Sequence, residues 1–417
     1  MQKKLIALAV AGLVSGGAFA QSSNVTIYGR ANLALDNYAA TGSVGGAATD
    51  YAGRTRITDS SSRIGFKGTE DLGNGLNLNW QCESQVNMNQ GGTNGMNGTV
   101  GNSSVGLCGR QSYAGLSGGW GEFRLGRQEV YWTDGRINDI GANELFTNGS
   151  ISTGENGIVS GVFARTSNVL SYFTPTMSGF QGALFYVAGA EAAQQGVAAN
   201  GKGYSFQLNY NNGPIAVKYD WAKSFGQNSA AQGLSTPPTG QIQNTGSKLA
   251  MAYFYQGDSK VGLVIVSEQN ANGNALAGLT AVGGAQTGTL VLGNTLKQNS
   301  WDINWEHYWG SGNFETIVEY GKASNASLSQ GGGASLGTLD TSQTNAKQFT
   351  IAAKYFFSKR TAIYALTEKV TNGMNNWADI SNGGYSASSE QAAGTGLSVI
   401  SRGVQVKVSG IGLIHNF

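Results

Sequence analysis

Apolar and polar residues alternate strictly over Asn24 to Asp36, with Val25, Ile27, Gly29, Ala31, Leu33 and Leu35 on one face and Thr26, Tyr28, Arg30, Asn32 and Asp36 on the other. A period of two predicts an extended strand with one apolar and one wet face. Similar stretches follow at Ser61 to Thr69, Gly75 to Asn87, Gly106 to Ser117, Gly121 to Val130, Arg165 to Thr174, Phe180 to Ala188 and Lys202 to Tyr210. Others lie at Pro214 to Phe225, Thr245 to Gln256, Lys260 to Gln269, Ser300 to Trp309, Phe314 to Ala323, Asn345 to Phe356, Arg360 to Thr371 and Ile400 to Phe417. With the first, these make sixteen, an even count that brings both ends of an up-and-down barrel to one side.

The connections alternate in length. Asp71 to Asn74, Gly118 to Trp120, Asn211 to Gly213, Gly257 to Ser259 and Gly310 to Asn313 are short and built from turn residues. Met88 to Val105, Gly226 to Asn244, Asn270 to Asn299, Ser324 to Thr344 and Asn372 to Val399 are long and rich in Gly, Ser, Asn and Ala. Short turns at one end and long loops at the other predict an all-β, transmembrane, antiparallel up-and-down β-barrel. Alternation alone also fits a soluble sandwich with its apolar face in a core. Arg30 orients the barrel reading, because an arginine facing lipid near the midplane costs roughly 2 to 4 kcal/mol and almost nothing in a wet lumen. Aromatic residues near strand ends, Tyr28, Trp80, Tyr113, Phe173, Tyr210, Tyr255, Tyr364 and Phe417 among them, suit girdles at the headgroup level.

The first twenty residues stand apart. Lys3 and Lys4, the apolar run Leu5 to Val14 and Ala18-Phe19-Ala20 read as a signal peptide over 1–20, cleaved before Gln21, leaving 21–417 as one barrel domain. Removing two of the 26 basic residues leaves 24 against 24 acids, so nothing in the balance argues for nucleic acid. Gly is 64 of 417 residues, Pro only 4 and charged residues 12%, which fits neither a disordered chain nor collagen. No later apolar run has the length of a spanning helix, so membrane entry requires a closed barrel.

An enzyme would need a constellation that the chain hardly supplies, since His307 and His415 are its two histidines and no His or Cys cluster suggests a metal. Neither catalysis nor a cofactor is expected. The anomalous stretch is Tyr131 to Ala164, a connection far too long for a turn, which is expected to fold inward and narrow the bore. Its acids Asp134, Asp139 and Glu144 would face strand-borne arginines. Arg30 is lumenal by alternation, and Ile64 and Phe66 on the apolar face turn Arg63 inward with Lys67. Arg165, at the start of the strand leaving the long connection, is expected to join them. Cys82 and Cys108 could form a disulfide in an oxidising compartment.

Several strings resemble the general diffusion porins of Gram-negative outer membranes, most closely the betaproteobacterial type. They are KKLIALAVAGLVSGGAFAQSS leading into VTIYG, SRIGFKGTEDLGNGL at 62–76, RQSYAGLSGGWGEFRLGRQ at 110–128, NGPIAVKY at 212–219, YFFSKRTAIYA at 355–365 and the terminal GLIHNF. The resemblance implies about sixteen strands, a homotrimer set among outer-membrane lipid and lipopolysaccharide, passive passage of ions and small hydrophilic solutes, and a third long loop folded into the lumen. By similarity Arg63 and Arg110 match the family's wall arginines, and Phe417 looks like its assembly signal. An Arg110 turned inward, as the resemblance implies, draws Cys108 to the lumen side while Cys82 falls with Leu78 and Trp80, so parity speaks against the disulfide unless a bulge intervenes. Ile414 departs from the pattern, standing where the family often has a basic residue. Two rival expectations are a substrate-specific channel, which would carry a track of lumenal aromatics, and a structural or adhesive barrel of eight to ten strands.

Overall fold

The computed structural model describes residues 24–44, 50–60, 62–86, 88–89, 107–131, 165–189, 202–226, 242–270, 295–329, 341–376 and 402–417. The strand segments are β1 (Asn24–Thr41), β2 (Tyr51–Asp59), β3 (Arg63–Gly73), β4 (Leu76–Gln85), β5 (Ser112–Gly118), β6 (Gly121–Glu129), β7 (Arg165–Phe173), β8 (Phe180–Val187) and β9 (Lys202–Asn212). They continue with β10 (Ile215–Gly226), β11 (Ile242–Gln256), β12 (Ser259–Asn270), β13 (Thr295–Trp309), β14 (Phe314–Ala323), β15 (Ser327–Ser329), β16 (Ala346–Phe356), β17 (Thr361–Asn372) and β18 (Gln405–Asn416). β2 and β3 pair with the two halves of β1, and β14 and β15 pair with successive parts of β13. Merging each couple reduces the 18 segments to sixteen antiparallel strands. β18 pairs back onto β1 from Arg30↔Asn416 to Thr41↔Gln405, so the sheet has no edge.

Alternation now acquires a direction. In β1, Val25, Ile27 and Leu35 are exposed while Arg30, Asn32 and Asp36 are buried. The same inversion holds in β12, where Val261 and Ile265 are exposed and Lys260 and Glu268 buried, and Ile411 and Leu413 of β18 are likewise exposed. A water-soluble sandwich would hide its apolar rows. A continuous outward apolar surface with a polar interior is the arrangement lipid demands. Trp120, Phe123, Phe180, Tyr253, Trp309 and Phe417 stand exposed near the short-turn end, and Tyr186, Tyr204 and Trp301 nearer the other.

Short turns rest on local backbone chemistry. Asn74 (φ 54) and Gly75 (φ 76) adopt the left-handed pair that twists correctly between antiparallel strands. The seam closes at the terminus: Gly29 N donates to the Phe417 carbonyl (3.0 Å) and Phe417 N donates to the Gly29 carbonyl (3.1 Å). A Cβ on Gly29 would collide with the Phe417 ring, so the glycine seats that ring at the junction.

Several strand bounds differ from expectation, β13 beginning at Thr295 rather than Ser300 among them. The first strand runs to Thr41 rather than Asp36, and β2 was not expected at all. Its sequence YAGRTRITD has one strongly apolar outward residue, Ile57, so it lacks the lipid-facing signature. The fourth barrel strand starts at Ser112 instead of Gly106, because Cys108 takes φ 69 and the chain bends through Arg110 and Gln111. The last strand starts at Gln405 rather than Ile400.

Candidate functional site: the charged lumen wall

The inward rows of β1 to β3, with Arg110 just before β5, carry a run of cations. Arg30 and Arg63 are direct register partners, and directly opposed like charges weaken a strand pair. Arg30 is held by an Nε hydrogen bond to Asn416 Oδ1 (2.9 Å). Arg56 pairs with Asp36 (2.8 Å) and lies over the Tyr38 ring at 4.4 Å. Arg110 is buried, and its Nε donates to Glu83 Oε1 at 2.6 Å. Glu83 also accepts from the Tyr28 hydroxyl (3.0 Å), which in turn accepts from Gln81 Nε2 (2.7 Å). Arg63 lies within electrostatic reach of both Glu83 and Arg110. A carboxylate paired with Arg110 holds its guanidinium in place, and Arg63 and Lys67 add positive charge beside it.

Arg165 lies elsewhere. Asn168 takes φ 60, and one extra residue of β7 falls between the pairs Gly126↔Val169 and Gln128↔Thr166. This bulge shifts parity, so Arg165 stands opposite Glu129 rather than on the row of Gln128 and Ser171. Its Nε donates to Glu129 Oε1 at 3.0 Å. Arg165 still lies within electrostatic reach of Arg110.

The long connection after β6 begins inside the barrel. Val130 and Tyr131 are essentially inaccessible. The Val130 carbonyl accepts from Ser205 Oγ (3.0 Å) and Gln207 Nε2 (3.2 Å), Tyr131 packs on Ala222, and Lys248 Nζ lies 4.3 Å from its ring centre. Ser205, Gln207, Ala222 and Lys248 all belong to buried, inward rows of β9 to β11. Within two residues of β6 the chain has therefore crossed onto the inner wall. Asp134, Asp139 and Glu144 lie outside the described residues, as does the rest of the stretch to Ala164.

Acids that sequence reading passed over lie on the inward rows of β13 and β14, seven and six strands round from β4, namely Asp302, Glu306, Glu315 and Glu319, and on β17, two strands from β1, namely Glu368; all are buried. Lys260 pairs with Glu306, and Lys354 with Glu315 at 2.9 Å. Their parity was legible, since each alternates with an outward apolar or aromatic residue such as Ile303, Trp305 or Val318. Several rings expected at the girdles are lumenal instead, among them Tyr364, which is buried and donates to Asn32 Oδ1 (2.7 Å). Tyr28 bonds to Glu83, and Tyr113 and Phe173 flank Arg124 at 4.5 and 4.4 Å. They sit on the polar parity of their strands, which outweighs nearness to a strand end.

Cys82 and Cys108 are bonded, with Cα atoms 4.6 Å apart. The parity objection fails because Cys108 lies in a turn outside the strand, its amide donating to Ser84 Oγ (2.8 Å) and its carbonyl accepting from Ser112 Oγ (2.6 Å). Phe417 lies at the seam already described, and Ile414 faces inward and is buried.

Among known proteins, the major outer membrane protein P.IB of Neisseria gonorrhoeae is 32% identical over 221 residues, which is 52% of this chain and 56% of that protein. The chain thus aligns with little more than half the length of these curated relatives. The anion-selective porin from Comamonas acidovorans superposes with a TM-score of 0.65 at 20% identity, covering 95% of this chain and 100% of that one. The trimer form of OmpT from Vibrio cholerae superposes at 0.57 with 11% identity, over 95% and 100% of the two chains. The Gram-negative porin profile matches residues 7–375, and the chain belongs to that family.

Proposed function

We propose that the chain forms a water-filled channel across the outer membrane of a Gram-negative bacterium, through which ions and small hydrophilic solutes diffuse passively with a weak preference for anions. The observation that carries this reading is the closed barrel with apolar residues outward and the arginines of β1 to β3, with Arg110 before β5, inward. Arg30, Arg63 and Arg110 form the positive side of the constriction. Asp134, Asp139 and Glu144, together with the wall acids of β13 and β14, form the negative side, and solutes cross a transverse field between them. Two unit charges about 6 Å apart interact by roughly 1 to 3 kcal/mol at effective dielectrics of 80 down to 20. That makes a preference, not a binding site, and salt screens it.

Residues 1–20 serve as the cleaved export signal, Phe417 as the assembly signal, and the barrel works as a homotrimer among outer-membrane lipid and lipopolysaccharide. Support for the trimer comes from the related fold of a porin described in trimer form. No catalysis is part of this reading. The lumenal position of Tyr28, Tyr113 and Phe173 favours a second reading, a channel that also binds a particular solute class.

The test is solute entry into liposomes. Wild-type protein is expected to admit a pentose faster than a disaccharide. Excision of 138–157 is expected to raise the disaccharide rate, because Tyr131 already lies on the inner wall and the following residues narrow the bore. No swelling with any solute would overturn the channel, and an unchanged disaccharide rate would return the stretch to the surface.

A further inference from the structure

Below the arginines, toward the short turns, the lumen wall contains a recess of about 600 Å³ between β1, β3, β4, β5 and β6. Lys67 lines it four residues beyond Arg63 on the same row, hence roughly 13 Å closer to the turns. Lys67 is exposed, and among the described residues its ammonium makes no ion pair; the Tyr28 ring, 5.2 Å away, is its aromatic neighbour.

The floor is rigid and nearly neutral. Arg124 is clamped between the Tyr113 and Phe173 rings, and its terminal nitrogen pairs with Glu122 Oε2 at 2.7 Å. The Arg124 Nε is buried without a hydrogen-bond partner. Glu122 Oε1 and Ser117 Oγ fix the Asn79 amide, and Thr69 Oγ1 donates to Asn79 Oδ1. Around this floor Thr26, Asn77 and Gln81 present hydroxyl and amide groups. Asp71 lies at the far rim, another four residues along the row from Lys67 and so again roughly 13 Å away, too far to pair with it.

From one unpaired cation, a lining of hydroxyls and amides beside aromatic rings, and a carboxylate at the opposite rim, we infer that the recess is a low-affinity station for hydroxylated organic monocarboxylates of sugar-acid type. The carboxylate sits at Lys67 and the hydroxyls meet the amide lining. Asp71 disfavours a second carboxylate at the far end, so a sugar diacid binds less well. The station rests on the channel reading above and adds a solute class to it.

The experiment is current recording from the full chain in planar bilayers in KCl, with sodium gluconate, sodium glucarate or sorbitol added on the short-turn side. Gluconate is expected to reduce chloride current saturably and to add excess open-channel noise. Sorbitol is expected to act only linearly, through viscosity, and glucarate to saturate at higher concentration than gluconate. Lys67→Gln is expected to raise the half-saturating gluconate concentration about fivefold, as for loss of one charged contact at a wet site, and Lys67→Arg to retain it. KCl conductance is read first in every protein. A conducting channel with no saturable gluconate effect, or with the same effect in Lys67→Gln, overturns the station alone. Absence of conductance overturns the channel reading and the station with it.

Discussion

Replacing Arg63 and Arg110 together by glutamine is expected to lower the chloride-to-potassium permeability ratio about fivefold or more, and to move the channel toward cations rather than merely to neutrality. The sign follows from what remains. Arg110 neutralises Glu83, so removing it leaves that carboxylate facing the lumen with the Tyr28 hydroxyl as its hydrogen-bonded neighbour. Removing Arg63 withdraws a second positive charge from the same patch. At a wet wall each charge is worth roughly 1 kcal/mol to a permeating ion, a factor of about five. The change should be larger in 0.1 M than in 1 M salt, because the screening length falls from about 10 Å to about 3 Å. Two controls sharpen the test. Arg63→Lys with Arg110→Lys preserves charge and should keep most of the preference. Arg165→Gln should change the ratio less than twofold, because the β7 bulge sets Arg165 against Glu129 and off the inward row. A zero-current potential unchanged by the double glutamine variant would separate the arginines from selectivity.

Reducing the Cys82–Cys108 bond is expected to loosen the entry to β5 without opening the barrel. The bond spans a sequence separation of 26, for which the loss of chain entropy on cross-linking corresponds to roughly 3 kcal/mol. The segment it holds is also tied by Cys108 to Ser84 and Ser112, by the Arg110 amide to the Glu83 carbonyl (2.8 Å) and the Glu83 amide to the Gln111 carbonyl (2.9 Å), by Arg127 Nε to the Gly109 carbonyl (2.8 Å) and by the Arg110–Glu83 ion pair, all of them short-range contacts to β4 to β6 that the bond keeps in register. The strands below pair through full ladders of their own. Cys82→Ser with Cys108→Ser should therefore increase hydrogen exchange over 107–111 by two orders of magnitude or about that, leave exchange in β16 to β18 unchanged, and add current noise because Arg110 follows Cys108 by two residues. Uniform loss of protection across the barrel would show that the bond stabilises the whole fold instead.

Much of this architecture was legible in the chain because lipid imposes a severe rule. Each spanning segment must alternate and each must pair, so Val25, Ile27 and Leu35 on one side of Arg30, Asn32 and Asp36 were enough to orient the first strand. Where lipid no longer touches the strand the rule lapses, and β2, with Arg54, Thr55 and Arg56 in a row, carried too little apolar signal to be read. Parity also assigned Arg30, Arg63 and Lys67 to one inward row.

It could not follow the chain through irregular backbone. The left-handed residue at Cys108 brought together two sulfurs that strict alternation kept apart, and the one at Asn168 carried Arg165 off the inward row that its place at the start of the strand suggests. Nor does parity say how far a side chain reaches, so the clamping of Arg124 by Tyr113 and Phe173 required coordinates. The acids of β13, β14 and β17 differ, for they lie on a parity that is readable in the sequence.

The most direct test of the central claim is the zero-current potential of the wild-type protein in a tenfold KCl gradient across a planar bilayer, read together with its single-channel conductance. The arginine-lined lumen predicts discrete, ohmic openings and a potential of the sign that chloride preference gives, growing as the salt is diluted. Absence of openings, or a potential of the opposite sign at low salt, would contradict it.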